Sequence, residues 1–263
     1  MLLNNFGNTC YINTILQLFL NNENFMKHVK NKEYKDEYLL NLIKKIVDSS
    51  SLKNFLICLQ EKLGQTMNLN EQNDASEIYT KLLDLFEKED ESSVEYFTGT
   101  HKKLYKCYVC KNKREKKENF TNLNLYITST TNTLQTSLVK IFEKEVLDGV
   151  ECETCKCNTK TEVKNKIIKW PKNLVFSINR YTPDFKLNYE FDYTRHIELC
   201  ITGKINKYTL TGIINHIGTK DTGHYTYIKL NNDSCVEISD DKVKQIVNFK
   251  SPTNYILIYK LIN

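Results

Sequence analysis

The sequence predicts an α+β fold, and three observations carry the prediction. Apolar residues recur at helical spacing in the first third. Short segments rich in β-branched and aromatic residues fill most of the remainder. No internal repeat intervenes apart from two paired cysteine knuckles. Helices grouped to one side of a largely antiparallel sheet are the expected arrangement.

Taken in order, Ile12, Ile15, Leu16 and Phe19 fall at i, i+3, i+4 and i+7 and predict a helix that runs through Phe19. Ala75, Ile78, Leu82 and Leu85 repeat the spacing within a second helix expected from Glu71 to Phe86. From about residue 94 the texture changes. "NLVFSINRY" (173–181), "YTLTGIINHI" (208–217), "HYTYIKL" (224–230) and "NYILIYKLI" (254–262) read as strands. One further helix carries Leu138, Ile141, Phe142 and Glu145, with Thr136 as its cap. "STTNT" (129–133) reads as a loop.

A chain of 263 residues can bury a substantial core, and only three prolines and eight glycines leave little room for disordered linkers. No apolar run approaches the roughly 18 residues of a membrane span. Cys10 lies too near Met1 for a cleavable signal peptide, so the expected location is cytoplasmic or nuclear, with no membrane partner. In that reducing setting the nine cysteines read as metal ligands, reactive thiols or core residues and not as a disulfide framework. The net charge of +5 is mild and its lysines are scattered. The densest basic run, "KNKREKKE" (111–118), reads as the solvated face of a hairpin, and no nucleic-acid partner is expected.

Cys107 with Cys110 and Cys152 with Cys155 form two C-x2-C pairs separated by 41 residues. Two such turns supply the four tetrahedral sulfur ligands of a closed structural zinc site, here one ion closing a long excursion of the chain. Cys157 leaves the register open, because Cys155 and Cys157 also offer a C-x-C pair. Cys58, Cys200 and Cys235, isolated among apolar neighbours, are expected in the core.

Cys10 follows Asn8 and Thr9, both good N-cap residues, so its sulfur belongs in the first turn of a helix, where the dipole and unpaired amides favour thiolate. A thiol hydrolase also needs a base. Of the five histidines, His28, His101 and His196 read as surface residues. His216 and His224 flank "IGTKDTG", and His224, opening a strand just after Gly223, is the better base.

These residues also carry a family resemblance. "NNFGNTCYINTILQ" resembles the cysteine box of the ubiquitin-specific proteases, and "TGHYTYIKL", "CVEISDDKV" and "NYILIY" resemble their histidine box. "NEQNDASEIYTKLLD" (70–84) is similar to the family's glutamine and acidic helix motif. "FTGTHKKLYKCYVC" and "FTNLNLYI" are similar to its entry into the fingers, and "WPKNLVFSINRY" (170–181) to the strand after them. The order holds over nearly the whole chain.

The resemblance implies a papain-like cysteine protease hand in a single catalytic domain over 1–263, with a helical thumb at about 1–93, zinc-binding fingers at 94–167 and a palm sheet at 168–263. It implies deubiquitination: hydrolysis of the isopeptide or peptide bond after the C-terminal glycine of ubiquitin, with ubiquitin and ubiquitinated proteins as partners and a monomeric state. Cys10 would be the nucleophile, His224 the general base, and Asn5 an oxyanion donor with the Cys10 amide. Asn4 is an equal candidate for a simple turn residue.

The family's third triad position falls on Ser239, where a carboxylate or amide is usual, and Asp240 next to it can substitute. Gln72, Asp74 and Glu77 match tail-contacting positions, with Asp74 and Glu77 expected on one polar helix face within about 60° of each other. Tyr181 and Tyr225 match aromatics of the tail channel, and Gly223 suits a passage too narrow for side chains. Ser76 stands where the family usually has histidine. Two other readings stay open: a protease for another Gly-Gly-ending modifier, and a catalytically impaired ubiquitin-binding scaffold.

Overall fold

The structure, a computed structural model, describes residues 1–127, 132–201, 203–231 and 234–262. Six helices come first: α1 (Cys10–Leu20), α2 (Glu23–Lys30), α3 (Leu39–Lys44), α4 (Ser49–Leu63), α5 (Ala75–Glu89) and α6 (Glu91–Val94). The apolar stripe read in α1 is fully buried, and the Phe19 ring meets those of Phe25, Phe86 and Phe97 at 5.2, 5.2 and 5.3 Å. Aromatic contacts of this geometry add stabilisation beyond the area they bury.

The second predicted helix starts four residues later than expected. Asp74 is extended and serves as N-cap of α5, its carboxylate accepting from the amides of Ser76 and Glu77. A short acceptor side chain satisfies otherwise orphaned amides, so the helix begins where that cap sits and not at Glu71. Of the predicted face, Ala75, Ile78 and Leu82 are buried and Leu85 is half-buried, with Phe86 closing the stripe instead.

The rest is sheet, with one more helix. In chain order the elements are β1 (Gly99–Cys107), β2 (Lys113–Phe120), β3 (Leu123–Tyr126), α7 (Leu134–Phe142), β4 (Lys144–Glu151), β5 (Asn158–Lys169) and β6 (Asn173–Asn179). They continue with β7 (His196–Ile201), β8 (Lys204–Gly218), β9 (Gly223–Leu230), β10 (Cys235–Ser239), β11 (Lys242–Ile246) and β12 (Asn254–Leu261). One sheet has the order β2-β1-β5-β4; the other runs β11-β10-β9-β8-β12-β6-β3, with β7 also on β8. Among the described residues every pairing of named strands is antiparallel except β3 with β6.

Strand alternation divides the interior into two cores. Val175, Ile214, Ile256 and Ile258 point into the helical layer, while Leu174, Phe176, Leu257 and Tyr259 point the other way, under α7. Basic residues 113 to 118 lie on the solvated strand β2, as the charge pattern indicated.

Three sequence expectations need correction. Helix α7 is capped by Thr133, with Thr136 closing the capping box, and it ends at Phe142, so Glu145 belongs to β4. Thr133 wins because the cap lies just outside the helix while Thr136 is already in its first turn. Cys235 is buried, but Cys200 is exposed and Cys58 half-buried. Cys200 sits on β7, which among the described residues pairs only with β8, at a position whose alternation faces outward, and Cys58 donates to the Glu37 carbonyl at 3.3 Å. His28 and His101 are half-buried and tied to Asp90 and Glu118 at 2.9 and 3.1 Å, while His196 is exposed as expected. Of the loop read at 129–133, residues 129–131 lie outside the described residues.

Candidate active site and candidate metal centre

The chain turns through Gly7 (φ +109°) into α1, whose first residue is Cys10. Thr9 stands at the N-cap without capping the helix; its hydroxyl accepts from the Phe6 amide at 3.0 Å and donates to Asn5 Oδ1 at 3.2 Å. The buried Cys10 thiol faces the backbone amides of Tyr225, Tyr11 and Cys10 itself. Burial nonetheless pushes the thiol above its ordinary pKa, with the Asp240 carboxylate adding to the rise and the amides opposing it. The expected helix-terminus effect is therefore present but outweighed by desolvation.

His224 is the second residue of β9, after Gly223, and Ser239 closes β10, the neighbouring strand. This adjacency brings His224 Nε2 to 2.8 Å from Ser239 Oγ. Asp240 Oδ2 lies further off, at 3.8 Å from the same nitrogen. Among the described hydrogen bonds none joins the thiol to this ring.

Asp240 is anchored elsewhere. At φ +53° in the β10–β11 turn, it accepts from Asn5 Nδ2 at 2.9 Å and Asn13 Nδ2 at 2.7 Å, and its carbonyl accepts from the Leu3 amide at 3.1 Å. Asn5 is exposed, and its Oδ1 accepts from the Thr9 amide at 3.2 Å. The turn thus ties the segment before the thiol to the strand that supports the imidazole.

A cleft of about 270 Å³ leads to Cys10 and is lined by Gln72, Asp74, Tyr181, Gly223 and Tyr225, together with Tyr11, Asn73 and His216. Gln72 Oε1 accepts from the Gly223 amide at 2.8 Å, bridging the two walls. A Cβ on Gly223 would lie 2.2 Å from His216 Nε2 and 2.7 Å from the Ile217 carbonyl, so no larger residue fits. Asp74 is not on an open polar face. Besides capping α5 it accepts from Tyr255 OH at 2.7 Å, and burial raises its pKa against those hydrogen bonds. Glu77, one turn on, is outside the cleft lining, exposed, and 3.5 Å from Lys81.

Sequence reading passed over three residues of this site. Asn13 lies one helical turn after Cys10, a spacing that could have been noticed. Tyr255 reaches Asp74 across 181 positions, which no local pattern reveals. His216 was set aside for His224; it is buried, its Nδ1 is hydrogen-bonded with Tyr181 OH at 2.7 Å, and it is pulled down to about 4 by burial, so it is neutral.

At the tip of the four-stranded sheet the sulfurs of Cys107, Cys110, Cys152 and Cys155 all lie within 4.8 Å of one another. The two knuckles have the same local build. Cys107 N bonds to Asn112 O and Cys152 N to Cys157 O, and the residue after each pair, Lys111 or Lys156, has φ +62° or +56°. Four convergent thiols without carboxylate or imidazole are a donor set for a metal held closed on all sides. Cys157 stays outside, its thiol turned to the Cys155 carbonyl at 3.4 Å. All nine cysteines are free of disulfides.

Fold and site together define a class: a hand-shaped α+β protein with a thiol at a helix start, a histidine on the facing sheet and a four-cysteine finger. The family model described as ubiquitin carboxyl-terminal hydrolase matches residues 2–259, and the chain belongs to that family. It is 26% identical over 285 aligned residues to ubiquitin carboxyl-terminal hydrolase 23 of Arabidopsis thaliana, covering 93% of this chain and 33% of that protein. It is 25% identical to ubiquitin carboxyl-terminal hydrolase 25 of the same plant, covering 99% of this chain and 47% of the relative. The chain thus spans less than half the length of either. Among solved structures, the fold matches a chain of the SAGA Ubp8/Sgf11/Sus1/Sgf73 module bound to monoubiquitin, with a TM-score of 0.83 and 20% identity over 100% of this chain and 69% of that one. The module bound to ubiquitin aldehyde matches with a TM-score of 0.82 at 21% identity, covering the same shares.

Proposed function

We propose that this chain is a deubiquitinase that cleaves after the C-terminal glycine of ubiquitin. The observation that carries the reading is the cleft itself, which ends at Cys10 and is pinched at Gly223, where the close approach of His216 tolerates no side chain. A Gly-Gly terminus fits such a neck.

In this mechanism His224 takes the Cys10 proton as the thiolate attacks the carbonyl of the terminal glycine. Because burial holds the thiol neutral at rest, proton transfer accompanies substrate engagement. Ser239 fixes the ring through Nε2, and the Asp240 charge at 3.8 Å favours the imidazolium that forms. The Cys10 amide and the second Nδ2 hydrogen of Asn5 receive the oxyanion. His224 then protonates the leaving amine, and water releases ubiquitin from the thioester. Gln72, Asp74, Tyr181 and Tyr225 hold the extended tail along the cleft. Glu77, on the exposed face beyond it, offers its charge to the tail's arginines.

Cys107, Cys110, Cys152 and Cys155 hold one zinc ion, which supplies a structural crosslink. The chain acts on ubiquitin and ubiquitinated proteins as a monomer in the cytoplasm or nucleus; no helix of the described residues is long and apolar enough to cross a membrane. The test is labelling with ubiquitin bearing a C-terminal electrophile. A single adduct at Cys10, lost in Cys10→Ala, is expected; a folded, zinc-loaded sample without that adduct refutes the reading.

A further inference from the structure

Strand pairing gives the basic run a new setting. Lys117 on β2, Lys102 on β1 and Lys166 on β5 stand in one cross-strand row. Residues two apart on a strand share a face, so Lys106 and Lys113, then Lys164 opposite Leu104, then Lys169 opposite Thr100, join the same face. Of its carboxylates, Glu115 is engaged by Lys102 at 2.8 Å and Glu162 by Lys144 at 3.2 Å, while Glu151, opposite Asn158 near the finger tip, forms no ion pair among the described residues. Lys106, Lys113, Lys117, Lys164, Lys166 and Lys169 are exposed and, among the described residues, form no ion pair. The other face differs: Glu118 there gathers His101, Lys103 and Lys116, and Val163 and Ile167 are buried.

Lys169 leads from this face into a cleft of about 470 Å³ whose lining includes Tyr96, Trp170, Lys172 and Lys204. Lys172 and Lys204 also form no ion pair among the described residues, and the Lys172 ammonium lies 5.1 Å over the Tyr96 ring. Glu95 is the carboxylate of this lining.

Like charges directly opposite in a sheet destabilise it, so a face on which Lys106 stands opposite Lys113, with no carboxylate paired to either among the described residues, favours an external anion. The ammonium groups of Lys164 and Lys166 stand ~7 Å apart along β5, those of β1 and β2 on this face stand ~13 Å apart, and lysine meets phosphate as a point charge without reading a base. Aromatic rings at the end of a basic track supply stacking for unpaired bases. An acidic polypeptide would use the lysines and leave the rings idle. We propose that the open face of the four-stranded sheet, with its Tyr96–Trp170 cleft, binds single-stranded nucleic acid without sequence preference.

The test is fluorescence anisotropy of labelled 15-nucleotide oligouridylate with the zinc-loaded chain. Five phosphate contacts give a slope of about −3.5 for log affinity against log salt. The variant Lys164→Glu/Lys166→Glu/Lys169→Glu is expected to bind at least tenfold more weakly, with a slope shallower by about 2. Lys27→Glu/Lys30→Glu/Lys53→Glu, with the same charge change on the helical part, is expected to stay within about twofold of wild type, as screened distant charges should. Melting temperature and zinc content confirm folding; if the sheet variant melts early, Lys166→Gln/Lys204→Gln is read instead. No binding at low salt, equal loss in both triple variants, or polyglutamate competing as well per charge as oligouridylate would each overturn the proposal.

Discussion

The Gly223 amide donates to Gln72 Oε1 at 2.8 Å across 151 positions of sequence, so the strand that presents His224 is tied to the helical wall of the cleft. Gly223→Ala should therefore do more than narrow a passage. Its Cβ would displace His216 and shift His224 by a fraction of an ångström, a misplacement that costs on the order of 100-fold in rate. Gln72→Ala, which removes only the bridge, should cost less, about tenfold, the equivalent of roughly 1.4 kcal/mol and of one hydrogen bond. Steady-state hydrolysis of a fluorogenic ubiquitin substrate measures both, and wild-type kcat/KM in the Gly223→Ala variant would contradict the steric argument.

Ser239 and Asp240 divide their work. Ser239→Ala removes the hydrogen bond that orients the imidazole and should lower kcat by about 10²-fold while leaving KM close to wild type. Asp240→Ala also leaves the Asn5 and Asn13 side-chain amides without their carboxylate acceptor, while the main-chain bond from Leu3 stays, so it should lower both kcat and melting temperature. Full activity in Ser239→Ala with a large loss in Asp240→Ala would transfer the orienting role to the carboxylate.

Metal content should be one zinc per chain by elemental analysis. Cys110→Ser should lose the ion and lower the melting temperature, since ligand loss is paid in folding free energy. Cys157→Ser should leave zinc content unchanged, because that thiol points away from the cluster. Zinc loss in the second variant would redraw the ligand set.

A pH signature resides in the helical layer. Burial disfavours the Asp90 carboxylate, but hydrogen bonds from Ser92, Lys32, His28 and Tyr34 overcome it and hold Asp90 well below the usual carboxylate range. A depressed folded-state pKa contributes stability that is complete above the unfolded value near 3.9 and lost as pH falls toward the folded one. Asp90→Asn should cost about 2 kcal/mol at pH 7, the scale of a charge-assisted hydrogen bond. The gap in melting temperature between wild type and variant should hold down to about pH 5 and close below about pH 4. A gap that widens on acidification would contradict the sign.

Much of the site was legible in sequence because its residue types are local requirements. Cys10 needs a helix start, which Asn8 and Thr9 announce, and each zinc knuckle needs two thiols three apart. Asp74 shows the limit of that method. Its helical spacing to Glu77 predicted an open acidic face, yet the same side chain is an N-cap bound to Tyr255, because cap formation and a strand from the far end of the chain compete for it. The thiol's state was misjudged for a related reason: a helix terminus can be read from neighbours, but burial depends on what packs over it.

By itself, then, the sequence pointed to three of the helices and four of the palm strands, to the cysteines that pair into knuckles, and to Cys10 and His224 as candidates, since periodicity, capping and ligand spacing act within a few residues. Only the tertiary structure decided that Ser239 and not Asp240 meets His224, that Asp240 holds the N-terminal segment, and that scattered lysines share one face. Those outcomes depend on strand order and register, which arise from contacts between residues far apart in the chain.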